Sequence, residues 1–467
     1  MFFSHHIRPS VTLCALLVAC VAVQLFAGPA AEAALVQLTT DGSVTSSSLA
    51  PSGNSSGSLI AFESNSDLTG ANSDLNVEIF RVSSAGAVIQ LTDSSGCTNG
   101  VPSSDAAGSL IAFESNCDPT GGNGDGSVEI FQVSAGGMVT QLTDGVGCVS
   151  EAPSSNASGD LVAFTSNCDH TGGNGDGGDE IFQASSSGTV VQLTDDASAG
   201  GCASFNPSSN ALGDLVAFDS DCDLAASNPD EIREIFQVSA GGVVAQLTLS
   251  LDNACVSEVP ASNAAGDKVA FESDCDFVGG NTDASVEVFM VDSLGQISQL
   301  SDDGASCDNG SVAIDGDGVT VVFTRTCVPA PPAEPSQDVY RYIQSSLAPV
   351  AAGVGCPSTS PWLSGDGLNT VFESGCDFVA TNGDGGIEIF AEYLGTLPCN
   401  CGAPISLFAG GSTPTASDAL FTLRAAVGSE SCLLCDCDVN NDGSVSSVDA
   451  LTILKAAVGQ DAVLTCP

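Results

Sequence analysis

The fold that the sequence predicts is an all-β, seven-bladed β-propeller whose N-terminal strand closes the last blade. A small α-helical calcium-loop region follows it. Three observations carry the prediction: a unit of roughly fifty residues recurs seven times, each unit divides into four strand-like segments, and a spare outer strand stands ahead of the first unit.

The recurrence is anchored on one aromatic, Phe62, Phe113, Phe164, Phe218, Phe271, Phe323 and Phe372, with consecutive spacings of 51, 51, 54, 53, 52 and 49. Five residues before each stands a glycine, from Gly57 to Gly367, and some eighteen residues after comes an acidic–aliphatic–aromatic triplet. Six triplets end at Phe80, Phe131, Phe182, Phe236, Phe289 and Phe390; the sixth copy reads Asp338-Val339-Tyr340. In the second copy the strand-like segments are Gly100–Ser104, Leu110–Ser115, Val128–Ser134 and Met138–Leu142, separated by turn formers. A fourth-strand phrase, Gln-Leu-Thr/Ser, follows at Gln90, Gln141, Gln192, Gln246 and Gln299, is weak around Leu347–Ala352, and is missing after the seventh copy. Leu35-Val36-Gln37-Leu38-Thr39 supplies the missing copy, so the chain's start is expected to complete its last blade and leave no unpaired edge.

The phrases Pro-Ser-Ser-x-x-x-Gly-x-Leu-Ile-Ala-Phe-x-Ser, Glu-Ile-Phe and Gln-Leu-Thr resemble the TolB-type, WD-like (PD40-like) propeller repeats of bacterial envelope and secreted proteins, over residues 34–397. The resemblance implies the fold; such repeats serve binding, scaffolding and support of enzyme domains alike.

Twelve cysteines follow one rule: Cys97/Cys117, Cys148/Cys168, Cys202/Cys222, Cys255/Cys275, Cys307/Cys327 and Cys356/Cys376 are each 20 apart, centred beside the turn glycine. A hairpin about that turn brings each pair face to face. The first copy lacks both members and carries Ser46 and Ser66. Joint presence or absence predicts disulfides, and disulfides predict an oxidising compartment.

The opening segment agrees. His5, His6 and Arg8 precede an apolar run from Val11 to Phe26, and Ala31-Glu32-Ala33 offers small residues for cleavage, so residues 1–33 read as a signal peptide. Leu17-Val18-Ala19-Cys20 also matches a lipoprotein signal. No later segment is apolar enough to cross a bilayer, and an extracellular or cell-surface location is expected. With 57 acidic against 8 basic side chains, a formal charge of −49, the chain would repel nucleic acid and anionic membranes.

Residues 398–467 change character. Two helical phrases, Ser417–Gly428 and Val448–Gly459, each end in a glycine placed as a C-cap. Ahead of the second, Asp438, Asn440 and Asp442 stand at loop positions 1, 3 and 5, Gly443 at 6, Ser444 at 7 and Asp449 at 12, the oxygen-ligand spacing of a calcium loop. The pair resembles a type I dockerin, a calcium-loop–helix module that plugs into cohesin domains, over residues 404–467. That resemblance places Asp438, Asn440, Asp442, Ser444 and Asp449 on ligand positions, Ser447 and Val448 on recognition positions, and implies a cohesin-like partner. In the first copy Leu407, Ala409 and Gly411 stand where ligands belong, so one Ca²⁺ is expected, not two. Cys399, Cys401, Cys432, Cys435, Cys437 and Cys466 are expected to form disulfides in a pairing the sequence does not choose; Cys432-x-x-Cys435 also permits zinc.

No residue set looks catalytic. Only His170 survives signal removal, read here as an incidental surface residue, which leaves a Ser-His-Asp or Cys-His arrangement, or a histidine-dependent metal lyase, little to build on. The prominent acids Glu78, Glu129, Glu180, Glu234, Glu287 and Glu388 recur by repeat, which favours hydrogen bonds that tie blades together over a single carboxylate pair. The loops at Asn123/Asp125, Asn174/Asp176, Asn281/Asp283 and Asn382/Asp384 read as Asx-Gly turns, with weak calcium sites as the alternative. The expected function is a secreted, non-catalytic binding or scaffold propeller, its face holding an unidentified ligand, with a calcium-dependent docking module. The alternative is a carbohydrate-active enzyme, glycosidase or lyase, delivered to a polysaccharide-degrading complex. Non-repeating carboxylates and aromatics at the axial mouth would favour the alternative.

Overall fold

The computed structural model describes residues 34–43, 45–195, 201–250, 255–328, 335–343, 346–353, 355–394, 414–427, 437–440 and 444–465. The signal segment, Asp442 and five of the six C-terminal cysteines lie outside them. Seven four-stranded antiparallel sheets form the blades of a propeller. In blade 2 the strands are Asn99–Ser104, Leu110–Ser115, Glu129–Ser134 and Val139–Gln141, within two residues of the sequence-based segments. Blade 7 takes its fourth strand from the start of the chain: Ala34–Gln37 pairs with Glu388–Tyr393.

The recurring aromatics explain the recurrence. On the second and third strands of each blade they stand directly opposite one another, as with Phe113 and Phe131, whose rings stack at 5.8 Å. Copy six keeps the pair with Phe323 and Tyr340 at 6.4 Å. Each stack packs with β-branched neighbours from its own blade and small or aliphatic residues of the preceding one, as Ala112 and Ile130 of blade 2 pack under Phe164 of blade 3. Burying such an aromatic contributes about 1.5–3 kcal/mol, so the fifty-residue period is the period of core filling.

Disulfides join all six cysteine pairs expected from the spacing: Cys97–Cys117, Cys148–Cys168, Cys202–Cys222, Cys255–Cys275, Cys307–Cys327 and Cys356–Cys376. Their placement differs from a simple face-to-face hairpin in all but one blade. Cys376 stands two residues past the strand that ends at Ser374, and Cys356 two residues before the strand that begins at Ser358, so this bridge ties the chain beyond the end of the ladder. The Cys376 N–H donates to the Ser374 hydroxyl at 3.0 Å, which turns the chain toward its partner; Cys117, Cys168, Cys222 and Cys275 repeat that bond. Cys327 departs from the other five second members. It lies within its strand, directly opposite Cys307 in register with Cα atoms 4.1 Å apart, and it is half-buried where its counterparts are buried. The reason is that the first two strands of blade 6 run two residues further, to eight residues each. In blade 1, which has no such bridge, Ser66 donates to Asp41 of the closing segment at 2.8 Å.

The turn glycines make the axis possible. Gly57 and its six counterparts have φ between 65° and 74°. The turn residue two positions before each glycine donates its N–H to the carbonyl of its counterpart in the next blade. The bonds run Ser55 to Ala106, Ala157, Ala211, Ala264, Gly316, Gly365 and back to Ser55, at 2.9–3.2 Å. Seven donors and seven acceptors thus close into one ring. Only small residues stand there because the backbones are close: a Cβ on Gly316 would lie 2.8 Å from the Gly365 carbonyl.

Two helices follow the propeller, α1 (Ala416–Ala426) and α2 (Ser447–Ala457). They start alike. Asp418 accepts from the Thr415 N–H and hydroxyl at 2.7 and 2.6 Å, and Asp449 accepts from the Ser446 N–H and hydroxyl at 3.0 and 2.7 Å. Both are Ser/Thr-x-x-Asp boxes that satisfy donors otherwise orphaned at a helix start. Ala419, Val439 and Ile453 form the small core between them. Among the described residues no helix is long and apolar enough to cross a membrane.

Candidate functional site

Two sets of acids must be separated before a site can be found. The first is the repeated glutamate of the triplet. Glu129 is 1% exposed, accepts the Thr143 hydroxyl and lies 2.5 Å from the Gly145 N–H. Thr143 in turn accepts the Ile130 N–H at 2.8 Å. The same arrangement holds Glu78 with Thr92 and Glu287 with Ser301, and it explains why the triplet and the Gln-Leu-Thr phrase travel together. Most of these bonds stay within one blade; Asn99 on Glu78 and Asn309 on Glu287 reach across from the next. At the seam Thr39 and Asp41 serve Glu388. These glutamates pin the exit of each fourth strand.

The second set rings the opposite end of the axis from the turn ring. One residue in the middle of each first strand has left-handed backbone, from Ala50 (φ 49°) to Ser360 (φ 51°), although only one is asparagine and none is glycine. Such a conformation strains a residue with a Cβ and persists only where its surroundings hold it. At five junctions the holder is a carboxylate of the preceding blade that accepts the strained N–H: Glu373 for Ala50, Glu63 for Val101, Glu114 for Ala152, Asp219 for Val259 and Glu272 for Ser311. Thr165 and Thr324 replace the acid at the other two. There the strained residues, Asn206 and Ser360, use their own side chains, donating to Asp219 and Glu373 of their own blades.

Against this framework the residues found in only one or two blades stand out. On the first strands, opposite the ring positions, Glu151, Phe205 and Glu258 occupy places held elsewhere by Leu49, Gly100, Gly310 and Thr359. Arg233 joins them. Its Nη1 lies 3.0 Å from Glu258 Oε1, its Nε lies 3.6 Å from Asp219 Oδ2, and its guanidinium carbon lies 4.9 Å above the Phe205 ring. A hollow of about 430 Å³ opens beside it, lined by Asp221, Glu231, Ile232, Val256 and Glu258 among others.

Burial governs the electrostatics here. It raises the Asp219 carboxyl to about 6, against hydrogen bonds from Asn206 and Val259 and the Arg233 charge, which pull it down. Burial also raises Glu272, with the charges of Glu258 and Asp219 adding to it, and raises Glu114, with Glu151 and Glu63 adding. Glu151 rises by burial and by the nearby Asp179, another non-repeating acid. The mouth is therefore acidic throughout, with Arg233 as a cation on the side of blades 4 and 5. Chemically it can attract cations, and it holds a carboxyl that burial raises to about 6. Asp219 has no exposed surface, so proton exchange with a ligand requires Arg233 to move aside.

Other sequence-based candidates fall elsewhere. His170 is not a surface residue. It is half-buried, edge-on to Phe164 at 5.9 Å and Phe182 at 5.4 Å, in the core-plugging place that Leu224, Phe277 and Phe378 fill in sister blades. Its Nε2 is 3.1 Å from the Ser150 hydroxyl, and burial lowers its pKa. Asn123 is buried and bridges its loop through the Cys117 and Ser127 carbonyls, as Asn281 bridges Cys275 and Ser285. Of the calcium-loop residues, Asp438 and Asp449 are fully buried and Asn440 and Ser444 exposed. Asp449 spends Oδ2 on the helix cap, and its buried Oδ1 has no hydrogen-bond partner among the described residues. Cys437 is buried and disulfide-bonded.

No family model matches the chain, and no curated protein matches it. Among solved structures, an oligogalacturonate lyase from Vibrio parahaemolyticus is similar at a TM-score of 0.55 and 11% identity, over 77% of this chain and 93% of that one. An oligogalacturonate lyase in complex with manganese gives 0.53 and 11%, over 78% and 93%. A putative TolB from Agrobacterium tumefaciens gives 0.41 and 13%, over 66% and 94%. At such identities the first two likenesses speak for the propeller fold alone, and the third adds nothing to them.

Proposed function

We propose that the chain is an exported, non-catalytic binding propeller whose C-terminal helices dock to a partner in a calcium-dependent way. One observation carries the docking half. The two helices leave matching large apolar side chains in solvent, Leu420 with Leu451, Leu423 with Leu454 and Val427 with Val458, each at least 40% exposed. A repeated apolar stripe of this kind suits a protein partner. The dockerin resemblance names that partner as cohesin-like. Calcium fits the loop: Asp438 is buried, and Asp449 Oδ1 is a buried carboxylate oxygen in want of a cation or donor. Asp438, Asn440, Asp442, Ser444 and Asp449 would hold the ion, which would fix the loop against α2. The six disulfides of the blades suit an extracellular or periplasmic setting. The test is calorimetric titration of the full chain with Ca²⁺, followed by capture of a cohesin domain in calcium and in chelator. One tight site, lost in Asp438→Ala, is expected; a chain that takes up no calcium refutes the reading.

A second reading rests on the asymmetry of the axial mouth. Asp179, Phe205 and Arg233 each stand alone at their repeat positions, Glu151 and Glu258 share theirs only with each other, and burial raises Asp219 beside them to about 6. A uronate-cleaving enzyme would use such an arginine to hold the substrate carboxylate and such a carboxyl to move a proton. Incubation with polygalacturonate decides it: release of unsaturated oligosaccharides, abolished in Arg233→Met, would establish the enzyme.

A further inference from the structure

Blade 1 differs from its neighbours at one turn. In blades 2 to 5 the tight turn between third and fourth strands is solvated: Gly136, Ser187, Gly241 and Leu294 are exposed, and so are Met138, Thr189, Val243 and Gln296. In blade 1 Ser83, Ser84, Ala85 and Ala87 are all buried, with Ala87 only 3% exposed. The positions are equivalent, since the Ser83 N–H donates to the Ala87 carbonyl as Ser134 does to Met138 and Asp292 to Gln296.

The cover comes from the C-terminal region. Cys437 and Val445 pack against Leu59, Ala87 and Ile89 in one apolar cluster. The blade's own residues suit a lid. Ala87 is small where Met138, Thr189, Val243 and Gln296 are larger, and Ile89 is the largest apolar side chain at a position held by Thr140, Val191, Ala245 and Ser298 in blades 2 to 5. Leu59 is 2% exposed, while Leu110, Leu161, Leu215 and Lys268 keep part of their surface in water. Blade 1 is also the blade that carries Ser46 and Ser66 in place of a disulfide.

We propose that the C-terminal helical region is a dedicated cap for blade 1, seated through Cys437 and Val445 on the Leu59–Ala87–Ile89 patch, and that it holds down the one blade without a covalent staple. The proposal rests on packing and needs no outside partner; Val445 belongs to the calcium loop, so the two readings share that segment.

Hydrogen exchange on the intact chain tests it, because the same turn bonds recur in an uncovered blade. The Gly86 and Ala87 amides should exchange at least about tenfold more slowly than those of Gly137 and Met138. Ala87→Gln, which introduces the residue blade 5 already carries there, should raise them to the blade 2 rate and loosen residues 437–440. Leu59–Ser64 should stay protected, showing that the blade itself is folded. Val445→Asp, which alters only the cap, should expose the same turn, and Met138→Ala should change nothing in blade 1. Equal rates in the two turns of the wild-type chain, or a turn still protected in both Ala87→Gln and Val445→Asp, overturns the proposal.

Discussion

Replacing Thr39 by valine removes two buried hydrogen bonds at the seam while keeping the side chain's shape. The hydroxyl donates to Glu388 Oε2 and accepts the Ile389 N–H at 2.9 Å, joining residues about 350 positions apart. At about pH 8 the Glu388 carboxylate is ionised, so the first bond is charge-assisted, worth about 1.5–3 kcal/mol, and the orphaned N–H costs about 1–3 kcal/mol more. Thr39→Val should therefore cost about 2.5–6 kcal/mol, read from the urea midpoint. Thr143→Val is the matched control. It removes the same two bonds, to Glu129 and Ile130, within one continuous stretch of chain. The two variants should lose similar stability but differ in what opens. The single tryptophan reports the difference: Trp362 packs on the seam cluster of Leu38, Val371 and Tyr393, and Gly53 of blade 1 has no Cβ so that its ring fits there. Thr39→Val should shift Trp362 emission well before global unfolding, and Thr143→Val should not. A cost under about 1 kcal/mol for Thr39→Val, or the same emission change in both variants, refutes the account of the clasp.

Removing one staple, Cys148→Ser with Cys168→Ser, reopens a 20-residue separation in the unfolded chain and should cost about 3 kcal/mol by urea denaturation; a cost under about 1 kcal/mol would show that the staples contribute little. Burial raises Glu388 from an ordinary value of 4.5 to about 7, with the Asp41 charge adding to it. A folded value above the unfolded one means that its contribution is full below about 4.5 and is lost as pH rises through about 7, so Glu388→Gln should flatten the stability profile there; parallel profiles would refute it. Burial lowers His170 below 6.5, so the unfolded chain takes up the proton first and stability falls as pH drops below that value. His170→Leu, the residue at Leu224, should remove this acid sensitivity, measured as thermal midpoints from about pH 7 to about pH 5.

The blades were readable in the sequence because their core is periodic. Each stacked aromatic pair, each turn glycine and each cysteine pair repeats the same local demand, and repetition raises the signal above composition. Where the strands end was less readable: the constant spacing of 20 hides that Cys327 lies inside its strand while Cys376 lies beyond its own. The closing strand was readable because one phrase stood where no unit preceded it. The axial mouth was not. Glu151 and Glu258 sit beside strained residues held by a carboxylate of the preceding blade, and a neighbour about forty residues away leaves no local trace. Arg233, where sister blades carry Val77, Val128, Asp179 and Val286, was not singled out, since one substituted position among seven repeats carries little signal. His170 was misread because its own side chain is polar: the sister positions carry Leu224, Phe277 and Phe378, and the fold turns the imidazole onto Phe164 and Phe182 as it turns theirs onto the equivalent rings. The cap on blade 1 left only a faint mark, an alanine where larger side chains usually stand.

The seven-membered circuit of backbone bonds makes the molecule resemble a cyclic assembly of seven protomers that share one peptide chain. Each blade meets the next through the same head-to-tail contact, and such a contact closes only when its rotation divides the circle evenly. Chain ends are then an arbitrary cut in the circle. Ala34 lies opposite Tyr393 in register, so the two ends of the ring are already neighbours. A short peptide joining them, with new ends opened between any two blades outside blade 1, should yield a circularly permuted chain with the same propeller. Where the gene begins would then decide which blade is clasped by hydrogen bonds and which by covalent continuity, and nothing else about the ring.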